Sequence, residues 1–481
     1  MSAPVLRQFA LNFWTLTTSK VLYRLVSIGV AMYLARALGA GVLGGYATVM
    51  NVLTLFLAFA DLGVTNLVIK DVSRDRSRSS EYLDNFFLLQ FLVGLLLIGL
   101  IMLTGLLAGY ERLLLIALAV GSLGPFFSGL SNAYQALMNA HELFYPFAVI
   151  EVVCMMVFLA GNVVVVMLGE GLLALVAVTS VVSLVKWILG AFWARRFDMR
   201  VHWRMRLRTV RAMLAAGLPF LLINGTHFAI QRMDVLFLSW TVTEERVGIY
   251  AAASRLIFAS LFVLASVGAL LYPVFSRLLA ENRERAQELY ARGTLYVTLL
   301  SLVLAQLIMT FAPTIIGLLY GEAFMEAVHI LQLLALFIPL FGVGLLASNV
   351  LMVSHRVWHA VWASIAGMIV GVIASPILIG IFEITGAAVA VLIAEAVAAA
   401  LYLVWTRATL KLHLPWTRLL LGVAAVVVPP LAFVTAGVSA GPLLGILSAL
   451  TSAGLIAVFK VLTREDLQEI AALILRRKEA A

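Results

Sequence analysis

Apolar runs of about 20 residues, parted by short polar breaks, recur along the whole chain. A run of that length predicts a helix that can cross a bilayer, because 1.5 Å per residue over ~20 residues matches the ~30 Å of hydrocarbon. The pattern places such helices near 12–35, 43–69, 83–108, 113–138, 144–168, 171–194, 212–240, 248–276, 288–312, 327–353, 358–381, 384–405, 417–437 and 441–461. The expected fold class is therefore an all-α integral membrane protein with about 14 transmembrane helices. No connection is long enough for a folded soluble domain. The longest are Arg195–Arg211, Arg277–Glu288 and the segment from Thr463.

Composition agrees. Charged residues make up 12% of the chain and hydrophobic ones 63%, against about 25% charged in soluble domains. The net charge of +9 raises the question of nucleic acid, and its distribution answers it. With the first residue placed in the cytoplasm, twenty-five of the 33 Lys and Arg fall on cytoplasmic segments. Only Arg36, Arg112 and Arg246 fall outside, and Lys20, Arg24, Lys186, Arg232 and Arg255 lie within helices. This is the positive-inside signature, so both ends are expected in the cytoplasm and no nucleic-acid partner is expected. The single Cys154 has no partner for an internal disulfide. The N-terminal apolar stretch is interrupted by Lys20 and Arg24 and is not expected to be a cleaved leader.

Self-comparison reveals a repeat. Gly44-Gly45-Tyr46-Ala47 returns as Gly248-Ile249-Tyr250-Ala251, and Ser73-Arg74 as Ser276-Arg277. Leu137-Met138-Asn139-Ala140-His141 returns as Leu351-Met352-Val353-Ser354-His355, and Pro125 as Pro339. The matches run in order at offsets between 203 and 214. Six helices per unit is an even number, so both units enter the membrane from the same side. The expectation is two parallel six-helix lobes related by a pseudo-two-fold axis, 1–195 and 212–406. A basic cytoplasmic linker, 196–211, joins them. Two additional helices, 407–462, and a cytoplasmic tail, 463–481, follow.

Polar residues inside the apolar runs carry the candidate chemistry. Lys20 and Arg24 are four residues apart, on one face of the first helix with Thr17 and Ser27. A cation at the centre of a membrane helix costs about 2.5–3.5 kcal/mol on insertion scales, so acidic partners, water or an anionic ligand must offset it. Asn51, Thr54, Asp61 and Thr65 share a face of the second helix. Asn224, His227, Gln231 and Asp234 do so on the seventh, with Arg232 adjacent. Arg255 follows the repeated Gly-Ile-Tyr-Ala segment. Glu151, Lys186 and Glu395 add single charges to the fifth, sixth and twelfth helices. Each has two readings. Arg255 and Lys20 stand within snorkelling reach of an interface, and Arg232–Asp234 or Asp61 can be structural pairs. Lys186 and Glu395 are read as helix-packing polar groups. Taken together, Lys20, Arg24, Arg255 and Arg232 form a basic set suited to phosphate oxygens, and thus to an anionic substrate whose lipid tail stays in the bilayer. Asp61, Glu151 and Asp234 are candidates for proton or Na+ coupling. No His-x-x-x-His, cysteine pair, Walker A loop or exposed Ser/His/Asp arrangement is present in the sequence, so no metal, cofactor or catalytic residue is expected.

The stretch Leu38-Gly39 to Gly44-Gly45-Tyr46-Ala47, then Asp61-Leu62-Gly63, then Gly248-Ile249-Tyr250-Ala251-Ala252-Ala253-Ser254-Arg255-Leu256, resembles the oligosaccharide flippases of polysaccharide biosynthesis (the O-antigen or Wzx type). These belong to the multidrug/oligosaccharidyl-lipid/polysaccharide exporter superfamily. The resemblance covers nearly the whole chain. It implies two six-helix lobes in a V and alternating access in a prokaryotic inner membrane. It also implies a polyprenyl-diphosphate-linked (undecaprenyl) oligosaccharide as cargo, and a polysaccharide polymerase and glycosyltransferases as partners beside membrane lipids. Cavity cations on the first and eighth helices of related flippases match Lys20, Arg24 and Arg255. The peptidoglycan-precursor (lipid II) flippase also carries two extra C-terminal helices, but the loops here are shorter than that subfamily implies. The rivals are an ion-coupled drug antiporter of the same fold, which would favour acidic cavity residues, and a membrane polysaccharide polymerase or ligase, which would need a large external loop.

Overall fold

The computed structural model describes residues 29–424, apart from 31, 35, 58, 59, 61, 142, 200, 231, 355, 412, 413, 415, 416 and 422, together with Thr451. Every regular element described is helical, and nine helices among the described residues are long and apolar enough to cross a membrane. The chain is a multi-pass membrane protein. The expected first helix and the two beyond residue 417 lie largely outside the described residues.

The elements are α1 (Arg36–Leu57), α2 (Val64–Arg74), α3 (Ser79–Leu107), α4 (Arg112–Ala140), α5 (Phe144–Met167), α6 (Leu172–Arg196) and α7 (Leu207–Ile230). They continue with α8 (Met233–Thr241), α9 (Glu244–Glu281), α10 (Arg283–Leu319), α11 (Ala327–Ala335), α12 (Phe337–Val353) and α13 (Val357–Leu410). By its contacts the chain divides into two compact units, Met1–Ala251 with Ser375–Ala387, and Ala252–Ala374 with Ala388–Ala481.

Several expected spans are broken where backbone chemistry overrides apolarity. The second helix, expected as one run over 43–69, is parted into α1 and α2, with Leu62 and Gly63 in the left-handed region (φ 50 and 69). The seventh, expected over 212–240, is parted at Arg232, whose φ of −133 is not helical. The tenth, expected over 327–353, divides into α11 and α12 at Leu336. There Pro339 lacks the N–H that would reach back to the Ala335 carbonyl. Conversely, the connection expected at Arg277–Glu288 shrinks to a turn at Asn282, whose side chain caps α10 by accepting from the Arg285 N–H at 3.0 Å. The flanking Glu and Arg are good helix formers, so α9 and α10 run on for 38 and 37 residues, longer than the bilayer requires. The eleventh and twelfth helices meet with no loop, across Glu383 at φ 50.

The first unit buries two apolar clusters. One gathers Val49, Leu53, Leu118, Ile150 and Val176, and the other Val68, Phe86, Leu137 and Met138. The connection between α6 and α7 is strapped to the start of α3. Asp84 Oδ1 accepts the His202 N–H, Asn85 Oδ1 accepts the Arg206 N–H at 2.6 Å, and the Thr209 hydroxyl donates to Glu81 Oε1 at 2.6 Å. Trp203, at φ 58, sets its ring edge-on to Phe87 and Phe91.

Candidate functional site

The break between α7 and α8 gathers a polar cluster inside the first unit. Backbone polar groups at a helix break need partners, and side chains near it gain positions that a continuous helix would deny them. Arg232 Nη1 donates to Asn51 Oδ1 at 3.0 Å, while Asn51 Nδ2 donates to the Ala47 carbonyl one turn back at 2.7 Å. Two residues on, Asp234 is wholly buried. Its Oδ1 accepts the Val235 N–H at 2.7 Å, its Oδ2 accepts the Tyr250 hydroxyl, and the charge of Arg232 acts on it. Asn51, Arg232, Asp234 and Tyr250 thus join α1, the α7–α8 break and the start of α9.

A close helix crossing holds these elements together. A Cβ on Gly44 would land on the Glu244 carbonyl and 2.9 Å from the Gly248 nitrogen. A Cβ on Gly248 would land on the Ala40 carbonyl and 3.0 Å from the Gly44 nitrogen. The contact is reciprocal: each glycine meets the residue four before the other. The two copies of the repeated segment pack on one another, backbone to backbone, as small residues allow in membrane helices.

The other expected site residues fall as follows. Lys20, Arg24 and Asp61 lie outside the described residues. Glu151, on α5, pairs with Lys186 of α6 at 2.8 Å, both side chains largely shielded (13% and 26% exposed). Each of these charges therefore has its counter-ion. Arg255 belongs to the second unit, half-buried on α9, where its charge acts on Tyr320, whose buried hydroxyl has no hydrogen-bond partner among the described residues. Glu395 is buried in the same unit. Among the described residues no three His, Cys, Asp or Glu side chains gather as a metal site.

Tyr250 and Asn51 are the partners that a charge-led reading undervalues. Tyr250 had a signal, since it stands in the repeated Gly-x-Tyr-Ala segment. A half-buried guanidinium beside a buried carboxylate can bind an anion through the first and take up a proton or cation through the second.

No curated protein matches the chain at the level of sequence. Among solved structures, it is similar to the lipid II flippase MurJ in an inward closed conformation (TM-score 0.74, 13% identity, 92% of this chain and 98% of that one). It is also similar to a multidrug resistance MATE family transporter of the MOP superfamily in an inward-facing conformation (TM-score 0.68, 16% identity, 81% and 94%). A third is a MOP superfamily transporter from Pyrococcus furiosus described as having a reversed polarity of its binding pocket (TM-score 0.58, 16% identity, 84% and 95%). At these identities the likeness establishes the fold. Residues 33–329, more than half of the chain, match the profile of one family, and by that match, in line with the resemblance read from its motifs, the chain belongs to the polysaccharide biosynthesis protein family.

Proposed function

We propose that the protein is a flippase that carries a polyprenyl-diphosphate-linked oligosaccharide from the cytoplasmic to the outer leaflet by alternating access of its two repeats. The observation that carries this reading is Arg232, a guanidinium held on Asn51 at a helix break inside a membrane unit. In this reading Lys20 and Arg24 hold the diphosphate, with Arg232 and Arg255 as further clamps, and the polyprenyl chain stays in lipid. Polysaccharide biosynthesis as the family, and a lipid II flippase among the similar folds, support a lipid-linked cargo. The protein is set in a prokaryotic inner membrane with both ends cytoplasmic, and works beside the glycosyltransferases and polymerase that make and use its cargo. Moving one charge across 100 mV is worth about 2.3 kcal/mol, so a potential negative inside drives the anionic head outward. It also returns the emptied cationic cavity.

Ion coupling through Asp61, Glu151 or Asp234 is the second element of the proposal, and the burial of Asp234 on Tyr250 favours Asp234 among the three. The test is flipping of a fluorescent polyprenyl-diphosphate sugar in proteoliposomes. Wild type is expected to flip it, and Lys20→Ala/Arg24→Ala to lose at least about tenfold in rate, the worth of one charge-assisted contact. A well-folded wild type that moves no such lipid, but exchanges cations or drugs for protons, would replace this reading with the antiporter.

A further inference from the structure

Away from the α7–α8 break, three basic side chains from distant parts of the chain converge on one cavity of about 440 Å³ in the first unit. Arg76 comes from the short turn before α3, His141 from the end of α4, and His202 from the strap between α6 and α7. Hydroxyls hold both rings: Ser79 Oγ lies 2.9 Å from His141 Nε2 and Ser80 Oγ lies 3.3 Å from His202 Nδ1. We propose that this cavity binds a phosphate group, either that of an anionic lipid at the membrane surface or that of a soluble phosphorylated compound.

The chemistry favours an anion over a metal. Two imidazoles and Asp198 share the cavity, yet no three metal-ligating side chains gather closely among the described residues. Arg76 instead supplies a fork of donors and a fixed charge, and the imidazoles add donors that become cationic on protonation. The charges around them are mixed. Asp198 lines the cavity and opposes an anion. Asp84 Oδ2 stands 3.9 Å from His202 Nδ1, Asp75 is held on Ser77, and Glu81 pairs with Arg206 at 3.1 Å. Arg78 lies over the Tyr82 ring. Burial first, and the Arg76 charge second, hold the His141 imidazole below the usual histidine range. A bound anion reverses that repulsion, so binding takes up protons and strengthens as the pH falls.

The test uses the full chain in phosphatidylcholine nanodiscs, with inorganic phosphate titrated against chloride at constant ionic strength. A saturable rise in the midpoint of thermal unfolding, larger at pH 6 than at pH 8, is expected. Arg76→Gln should weaken the phosphate dependence about tenfold, and Asp198→Asn should tighten it. A second arm counts phosphatidylglycerol retained by native mass spectrometry from mixed nanodiscs. Retention that depends on Arg76 identifies a lipid headgroup as the source, whereas a phosphate response without it identifies a soluble one. If phosphate acts like chloride and both variants retain phosphatidylglycerol as wild type does, the proposal is overturned. A change in midpoint in Arg76→Gln with an unaltered phosphate dependence overturns it too.

Discussion

Asp234 is a carboxylate with no exposure, and what keeps it tolerable is the Tyr250 hydroxyl, one backbone N–H and the charge of Arg232. Tyr250→Phe keeps the ring and removes only the donor, so it should destabilise by about 1–3 kcal/mol, seen as an earlier thermal transition in detergent. The Glu151–Lys186 pair follows the same logic with a different readout. Removing one partner strands a shielded charge, so Lys186→Met alone should cost more than the double change Lys186→Met/Glu151→Gln. Near-additive losses in that cycle would mean the two charges do not sense each other. His141 lies past the end of α4, and its imidazole is held below the usual range by burial and then by Arg76. Its folded value is lower than its unfolded one, so in phosphate-free buffer its contribution to stability is complete above the unfolded value, about 6.5, and is lost as the pH falls below it. His141→Asn should flatten the acid side of the unfolding-versus-pH curve.

Among the helices, the decisive contact is the crossing of α1 and α9. Gly44→Ala places a methyl on the Glu244 carbonyl, while Gly41→Ala, three residues earlier on α1, meets nothing within 4 Å. The first should cost about 1–3 kcal/mol through displaced backbone, and the second should be neutral or slightly stabilising in the same thermal assay. Equal effects would show that the crossing is loose. The breaks at Leu62–Gly63 and Arg232 matter for a related reason. Each interrupts a helix whose apolar pattern reads as continuous, and each exposes backbone polar groups that the surrounding packing must satisfy.

For the molecule as a whole, the family is that of polysaccharide biosynthesis proteins and the fold is a multi-pass helical one. Topology is directly checkable because the one native thiol is quiet: Cys154 is buried with its Sγ 3.8 Å from the Val182 carbonyl. A cysteine placed at Arg208, which is exposed beyond the strap, should react with an impermeant maleimide only when the cytoplasmic face is open to it. Labelling of Arg208→Cys from outside intact cells would invert the orientation read from the basic residues.

The sequence by itself determined the all-helical membrane character, the approximate position of most spans and the family. The first two depend on apolar runs, which are local and summed over many residues, and the family on short motifs and the profile they fit. It also marked Arg232, Asp234 and the twin Gly-x-Tyr-Ala segments as noteworthy. Only the tertiary structure decided what those residues do to one another. That Gly44 meets Gly248, that Tyr250 donates to Asp234, that Glu151 spends its charge on Lys186, and that Arg76, His141 and His202 share a cavity are pairings between distant segments. Helical periodicity assigns a residue to a face of its own helix but says nothing of which helix lies opposite. That is settled by backbone breaks and close crossings, which the hydropathy of the chain does not encode.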